Sequence, residues 1–280
     1  MLLRTRKLRR IKILLEYEGT RYHGWQLQVK QVSIQGVLES KLHKITGEKI
    51  RVIGSGRTDA GVHAEGQVAH FQTNSTMKLD EFLKAMNSLL PSDIVVKKVA
   101  EAKPDFHAQI SATRKTYRYT ILNREYPSAL QSRTAHYIAI PILNVTAMRK
   151  AARYLIGQHD FKTFQASGCT AKSTQRELYR LSIAKEGDFI RITVDGSGFL
   201  KYMVRIIVGT LIEIGWGKWP PERMQKVLKS KDRLMAGPTA LSRGLCLVKV
   251  VYGKRPARKK AAGKKSKAVK GRLSQRAFRV

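Results

Sequence analysis

Carboxylates are scarce in this chain: 20 Asp and Glu stand against 54 Lys and Arg over 280 residues, a net charge of +34. Cysteine is scarcer still. Cys169 and Cys246 form no C-x-x-C pair and no metal-ligand spacing, which argues against a structural zinc site and fits a reducing compartment. The seven histidines are dispersed, and none pairs with Cys or a carboxylate at metal-ligand spacing. Long apolar runs are missing too. IIVGTLI at 206–212 falls far short of the ~18 residues a bilayer span needs, and in the basic start MLLRTRKLRRIKILLE the acid Glu16 breaks the apolar run. These absences lead us to expect a soluble, cytosolic protein.

The excess of base is spread through the chain. Residues 254–280 hold twelve Lys or Arg and no acid, yet the remainder still carries +22. Solubility does not require so much, and no basic amphipathic helix with an aromatic face suggests a membrane surface. A polyanionic partner, nucleic acid above all, is the strongest inference from composition. A hydrophobic content of 42% indicates a globular body with room for one large domain or two smaller ones.

Periodicity predicts a strand at 11–17, a helix beginning at Ser33, strands at 50–53 and 68–72, a helix over 80–90 stopped by Pro91, and a strand at 93–99. A second β-α-β-β-α-β series follows without visible sequence similarity. It has a strand at 112–122, a helix at 146–158, a hairpin of 178–184 and 189–195, an apolar helix at 199–214, and a strand at 245–252 after a short helix. We therefore expect an α+β protein of two tandem ferredoxin-like lobes with antiparallel sheets. The expected division is residues 1–105, residues 106–253, and a basic tail at 254–280 whose composition predicts disorder when alone.

One stretch stands out, GSGRTDAGVHAEGQVAHF at 54–71, where Arg57-Thr58-Asp59 lies among glycines at 54, 56, 61 and 66. It reads as a shaped loop carrying an acid beside a base, or equally as a turn whose Asp bonds its own backbone. Gly56 and Gly61 have P-loop spacing, but Val62-His63 follow where Lys-Ser/Thr should stand. Gly54-x-Gly56-x-x-Asp59 has an acid where a dinucleotide fingerprint needs glycine. Both phosphate motifs are excluded.

GRTDAGVHA at 56–64, with Gln67, resembles the signature of the TruA family of tRNA pseudouridine synthases. The likeness continues through EYEGTRYHGWQ (16–26), Gln35–Glu39, Asn87 with Leu90-Pro91 and Asp93-Ile94, RKTYRYTI (114–121), GQHDFKTF (157–164), FLKYMVRIIVGTLIEIG (199–215) and AGPTA (236–240). The resemblance implies the pseudouridine synthase fold, and isomerisation of uridine at positions 38, 39 and 40 of the tRNA anticodon stem-loop. It implies a homodimer and no metal, nucleotide or organic cofactor. By residue it implies Asp59 as nucleophile, Arg205 as the cation paired with it, Tyr117 as a ring against the extruded uracil, and Arg57 as a holder of the opened stem. His63 and Gln67 are expected to shape the loop, Tyr119 to be core, and the loop glycines to let the RNA backbone approach. One departure is visible. Where the family usually reads Phe-x-Ala-Arg, this chain has Phe106-His107-Ala108-Gln109.

Overall fold

The computed structural model describes residues 8–253, so the tail from Lys254 and residues 1–7 lie outside the described residues. In chain order the elements are β1 (Arg9–Tyr17), α1 (Ile34–Thr46), β2 (Ile53–Gly54), β3 (His63–Thr73), α2 (Leu79–Leu89), β4 (Ile94–Glu101), β5 (Ala112–Asn123), β6 (His136–Ile138), α3 (Val145–Ala152), β7 (Gly157–Asp160), β8 (Gln175–Glu186), β9 (Phe189–Gly196), α4 (Met203–Gly215), α5 (Arg223–Ser230) and β10 (Leu245–Tyr252).

Both β-α-β-β-α-β series fold with the same strand order. In the first, β1 lies between β4 and β3, and β2 pairs with β3. In the second, β5 lies between β10 and β9, and β8 lies beyond β9, with β7 added outside it. All of these pairings are antiparallel. The two lobes are joined by a short parallel contact, in which Cys246 and Leu247 of β10 stand opposite His63 and Ala64 of β3. The result is one continuous sheet, β4-β1-β3-β10-β5-β9-β8-β7.

Local sequence explains the helices. Ser33 Oγ accepts the Gly36 N–H at the start of α1, Ile34, Leu38 and Leu42 are fully buried on one face, and Gly47 ends the helix in the left-handed region. In α4 every residue but Arg205 is buried. Burying an Ile or Leu contributes about 1.5–3 kcal/mol, so this helix is firmly anchored and Arg205 has a fixed origin.

β3 begins at His63, five residues before the strand expected at 68–72, and three other departures have a visible local cause. The strand expected at 50–53 is reduced to two residues, because side chains satisfy its backbone: Glu39 accepts the Val52 N–H, while Glu48 accepts from Thr73 and Asn74 across the gap. The helix expected at 146–158 ends at Ala152, and a 3₁₀ turn leads to Gly157, whose φ of 106° starts β7. The helix expected from Phe199 begins at Met203, since Tyr202 adopts φ 62°. The hairpin turn is Gly187-Asp188, with Glu186 opposite Phe189. Gly187 at the first turn position with positive φ is the two-residue hairpin chemistry that follows strand twist.

Candidate active site

The edge of β3 that faces β10 is paired in two separate places. β10 pairs with its first two residues, and β2 pairs at Ala69 and His70. The loop 55–62 runs between these pairings and is fixed from both sides. Trp25 N–H donates to Thr58 O at 3.0 Å, Gly61 N–H to Tyr22 O at 3.2 Å, and Tyr17 and Thr58 share a hydroxyl hydrogen bond of 2.8 Å. Behind the loop, the buried Gln67 donates to Gly56 O and accepts from Ser55 Oγ at 2.7 Å. His63 accepts the Gly19 N–H at Nδ1, leaving Nε2–H to donate to Arg243 O. Gln67 thus shapes the loop directly, whereas His63 ties the start of β3 to the turn at Gly19 and to the segment before β10. The space over the glycines is occupied by the protein itself: Trp25 over Gly54, Lys115 over Gly56, Ser242 over Gly61 and the Val248 carbonyl over Gly66. The glycines therefore serve close packing within the protein, and Gly54 and Gly56 also line the cleft described below.

The loop carries Asp59, and 146 residues later α4 brings Arg205 to it. Arg205 Nη1 lies 3.3 Å from Asp59 Oδ2, with side chains 14% and 22% exposed. The guanidinium is held from two other directions. Its Nε–H donates to Ala240 O at 2.8 Å, and its plane lies 4.7 Å from the Tyr202 ring centre. Ala240 can reach it because Gly209 in α4 has no side chain; a Cβ there would collide with the Pro238 carbonyl. The AGPTA segment thus crosses the helix at close range and aims one carbonyl at Arg205.

Asp59 lines a cleft of about 900 Å³ together with Arg57, Tyr117, Lys115, Arg176 and Lys201. Burial raises the Asp59 carboxyl above its ordinary value, while the Arg205 guanidinium and Lys201 pull it back without cancelling the rise. Arg57 is exposed. Tyr117 is 7% exposed, its ring edge-on to Phe199 at 5.1 Å. Burial pushes its hydroxyl far upward, so it stays protonated. Gln109 also lines the cleft. Tyr119 is fully buried, donating to Leu241 O at 2.8 Å.

The four expected residues thus share one cleft or touch its acid. Sequence reasoning missed Lys115, Arg176, Lys201 and Tyr202. Lys115 was within reach of the two-residue strand period from Tyr117; Tyr202 was concealed by the apolar run that reads as uninterrupted helix. Among the described residues, no group of three His, Cys, Asp or Glu could hold a metal ion.

A family model described as tRNA pseudouridine synthase matches residues 13–110 and 151–253. The chain belongs to that family. The tRNA pseudouridine synthase A of Thermoanaerobacter sp. (strain X514) is 48% identical over 245 residues, covering 88% of this chain and 100% of that protein. Its counterpart in Ruminiclostridium cellulolyticum is 46% identical over 246 residues, with the same coverage of each chain. The Geobacter sulfurreducens protein of that name is 46% identical over 245 residues, again covering 88% and 100%. As a pseudouridine synthase family member the chain is an isomerase with a mixed α+β fold, and no helix among its described residues is long and apolar enough to cross a membrane.

Proposed function

We propose that this chain converts uridine to pseudouridine in tRNA, at positions 38, 39 and 40 of the anticodon stem-loop, acting as a cytoplasmic homodimer. The observation that carries this reading is the Asp59–Arg205 pair, assembled from both lobes within a cationic cleft. The reaction breaks the bond from ribose C1′ to uracil N1, turns the base, and forms a bond from C1′ to C5; the C5 proton leaves and N1 gains one. A carboxylate is the group such a reaction needs, either to attack or to steady a cationic sugar, as in glycoside cleavage. Asp59 is that carboxylate. Arg205 favours its ionised form against burial and fixes its direction.

A stem uridine must leave the stack before it can reach Asp59. Tyr117, protonated and apolar-faced, closes the pocket against water beside the extruded base, and Arg57, exposed at the rim, holds the opened strand. In this reading residues 1–105 carry the nucleophile, residues 106–253 supply the groups that direct it, and the tail at 254–280 adds charge toward RNA.

Asp59→Ala tests the reading. Tritium release from C5-labelled uridine in tRNA should vanish while tRNA binding persists; unchanged release removes Asp59 as nucleophile. Mapping pseudouridine in tRNA from a strain lacking the gene tests the positions, and modification intact at 38–40 refutes them. Truncation after Tyr252 should leave single-turnover chemistry intact and make the slope of log affinity against log salt shallower. An unchanged slope would mean that the tail does not touch RNA.

A further inference from the structure

Lys115 and Arg176 are cations with no use in the chemistry above. Lys115 lies two residues before Tyr117 on β5 and shares its face of the strand. Its ammonium donates to the Ser55 carbonyl at 2.7 Å, at the start of the Asp59 loop. That uses one of three N–H donors. Burial, with Arg176 standing close enough to add to the effect, brings its pKa down to about 8. Arg176, the second residue of β8, spends its Nη1 on the Ser173 and Gln175 carbonyls, at 2.9 Å and 2.6 Å. Burial lowers it as well, and the titratable group beside it is the Cys169 thiol, not a carboxylate.

The register explains their proximity. Lys115 stands opposite Gly196 on β9, and Gly196 stands opposite Leu178 on β8, two residues from Arg176. The Arg176 side chain lies beside Gly198, where there is no side chain to fill the space between. The neighbouring acid, Asp195, is turned away: it stands opposite Thr116 on the other face and accepts that hydroxyl. Among the described residues neither cation has a carboxylate partner, yet both line the cleft that holds Asp59.

Two partly buried like charges that lack a counter-ion are costly in the free protein, and an anion between them relieves the cost. Arg offers a planar fork and Lys a point charge, a combination suited to a tetrahedral anion with several acceptor oxygens. We infer that Lys115 and Arg176 form a binding site for one phosphodiester of the RNA backbone next to the flipped uridine. The inference rests on the reading that this cleft takes a flipped uridine. It gives Lys115 a double connection, to the Ser55 carbonyl of the nucleophile's loop and to the strand that carries the target.

The test is a double-mutant cycle on binding. Stem-loop RNAs carrying a single neutral methylphosphonate at successive positions around the target uridine are titrated against the full chain and against the Lys115→Met and Arg176→Met variants. One position should weaken binding to the parent protein about tenfold, the worth of a charge-assisted hydrogen bond, and add little further loss in either variant. Equal losses in parent and variants at every position would overturn the site. So would displacement of RNA by inorganic phosphate through this pair with no sensitive backbone position, which assigns the pair to free phosphate. Should Lys115→Met fail to fold, Arg176→Met, whose side chain bonds only carbonyls of its own strand end, carries the cycle alone. Absence of pseudouridine formation by the parent protein would refute the enzymatic reading and leave this binding cycle readable.

Discussion

The two faces of the central strands use charge in opposite ways. Tyr117 of β5 lines the cleft, and its neighbour Arg118 lines a hollow of about 340 Å³ on the other face with Glu16, Glu18, Glu65 and Asp93. There the cations are matched: Arg118 with Glu65, Lys97 with Glu16, Arg133 with Glu18, Arg21 with Asp93. In the cleft, Arg57, Lys115 and Arg176 have no carboxylate partner among the described residues, Arg51 meets Glu39 at 3.7 Å, and Asp59 is held by Arg205 with the charge of Lys201 also acting on it. A chain with only 20 acids sets several of them behind the sheet and leaves Arg57, Lys115 and Arg176 in the cleft without one. The field of such a cleft draws a polyanion to one side of the molecule.

Four experiments can break or sharpen this contrast. The largest effect belongs to Arg205, the cation that holds the cleft's acid. Arg205→Lys should lower turnover on the order of a hundredfold, because a point charge cannot hold Asp59, Ala240 O and the Tyr202 ring together. Arg205→Gln should also move the acid limb of the single-turnover rate profile to higher pH: Arg205 lowers the Asp59 pKa, so its removal lets burial raise that pKa further. A limb that stays put would show that the pair does not govern ionisation of Asp59.

Next comes stability, where the cleft side depends on backbone packing and the far side on exposed ion pairs. Gly209→Ala should cost about 1–3 kcal/mol in urea unfolding, since the AGPTA segment must shift. Glu65→Ala, which removes the partner of Arg118, should cost under about 1 kcal/mol. Similar costs would erase the distinction.

A smaller effect concerns salt. Arg57→Ala should reduce the slope of log affinity for tRNA against log salt by about one, and Arg118→Ala should leave it unaltered. Equal changes would mean that RNA contacts both faces.

The smallest is the cost of keeping the acid buried. The Asp59 pKa is raised in the fold, so the folded state holds its proton to higher pH than the unfolded chain, and stability falls as pH rises through that interval. Asp59→Asn should therefore be modestly more stable than the parent near pH 7. The difference should fade as pH drops to the ordinary carboxylate value of 3.8. A destabilised Asn variant at pH 7 would mean that Arg205 outweighs burial.

Much of this arrangement was legible beforehand, for identifiable reasons. The helix after Ser33 announced itself by its cap and its buried Ile34, Leu38 and Leu42, and the order of both lobes followed from strand and helix periods. Asp59 and Arg205 were singled out by the family resemblance; the glycine setting of Asp59 suited a plain turn equally well, and the structure sets the two side chains 3.3 Å apart. What was hidden depended on neighbours distant in sequence. The run at 50–53 alternates like a strand, but carboxylates of Glu39 and Glu48 take the hydrogen bonds that a ladder would have made. Tyr202 sits in a run that reads as helix, and only its left-handed backbone sets its ring against Arg205. Arg176 carries no local signal; it enters the cleft through the register of β8 on β9.

The two-residue contact between β10 and β3 has a consequence for the life of the chain. β10 is the last described strand to be synthesised, yet it lies in the interior of the sheet, between β3 and β5. The first lobe can pair its strands as soon as residue 101 is made. The second cannot close, nor can the two lobes become one sheet, until residues 245–252 take their places. Long-range pairing of this kind forms late. A chain that lacks this strand has Asp59 in its loop but not the sheet that sets Arg205 beside it, so the active site comes into being only once residues 245–252 have been made.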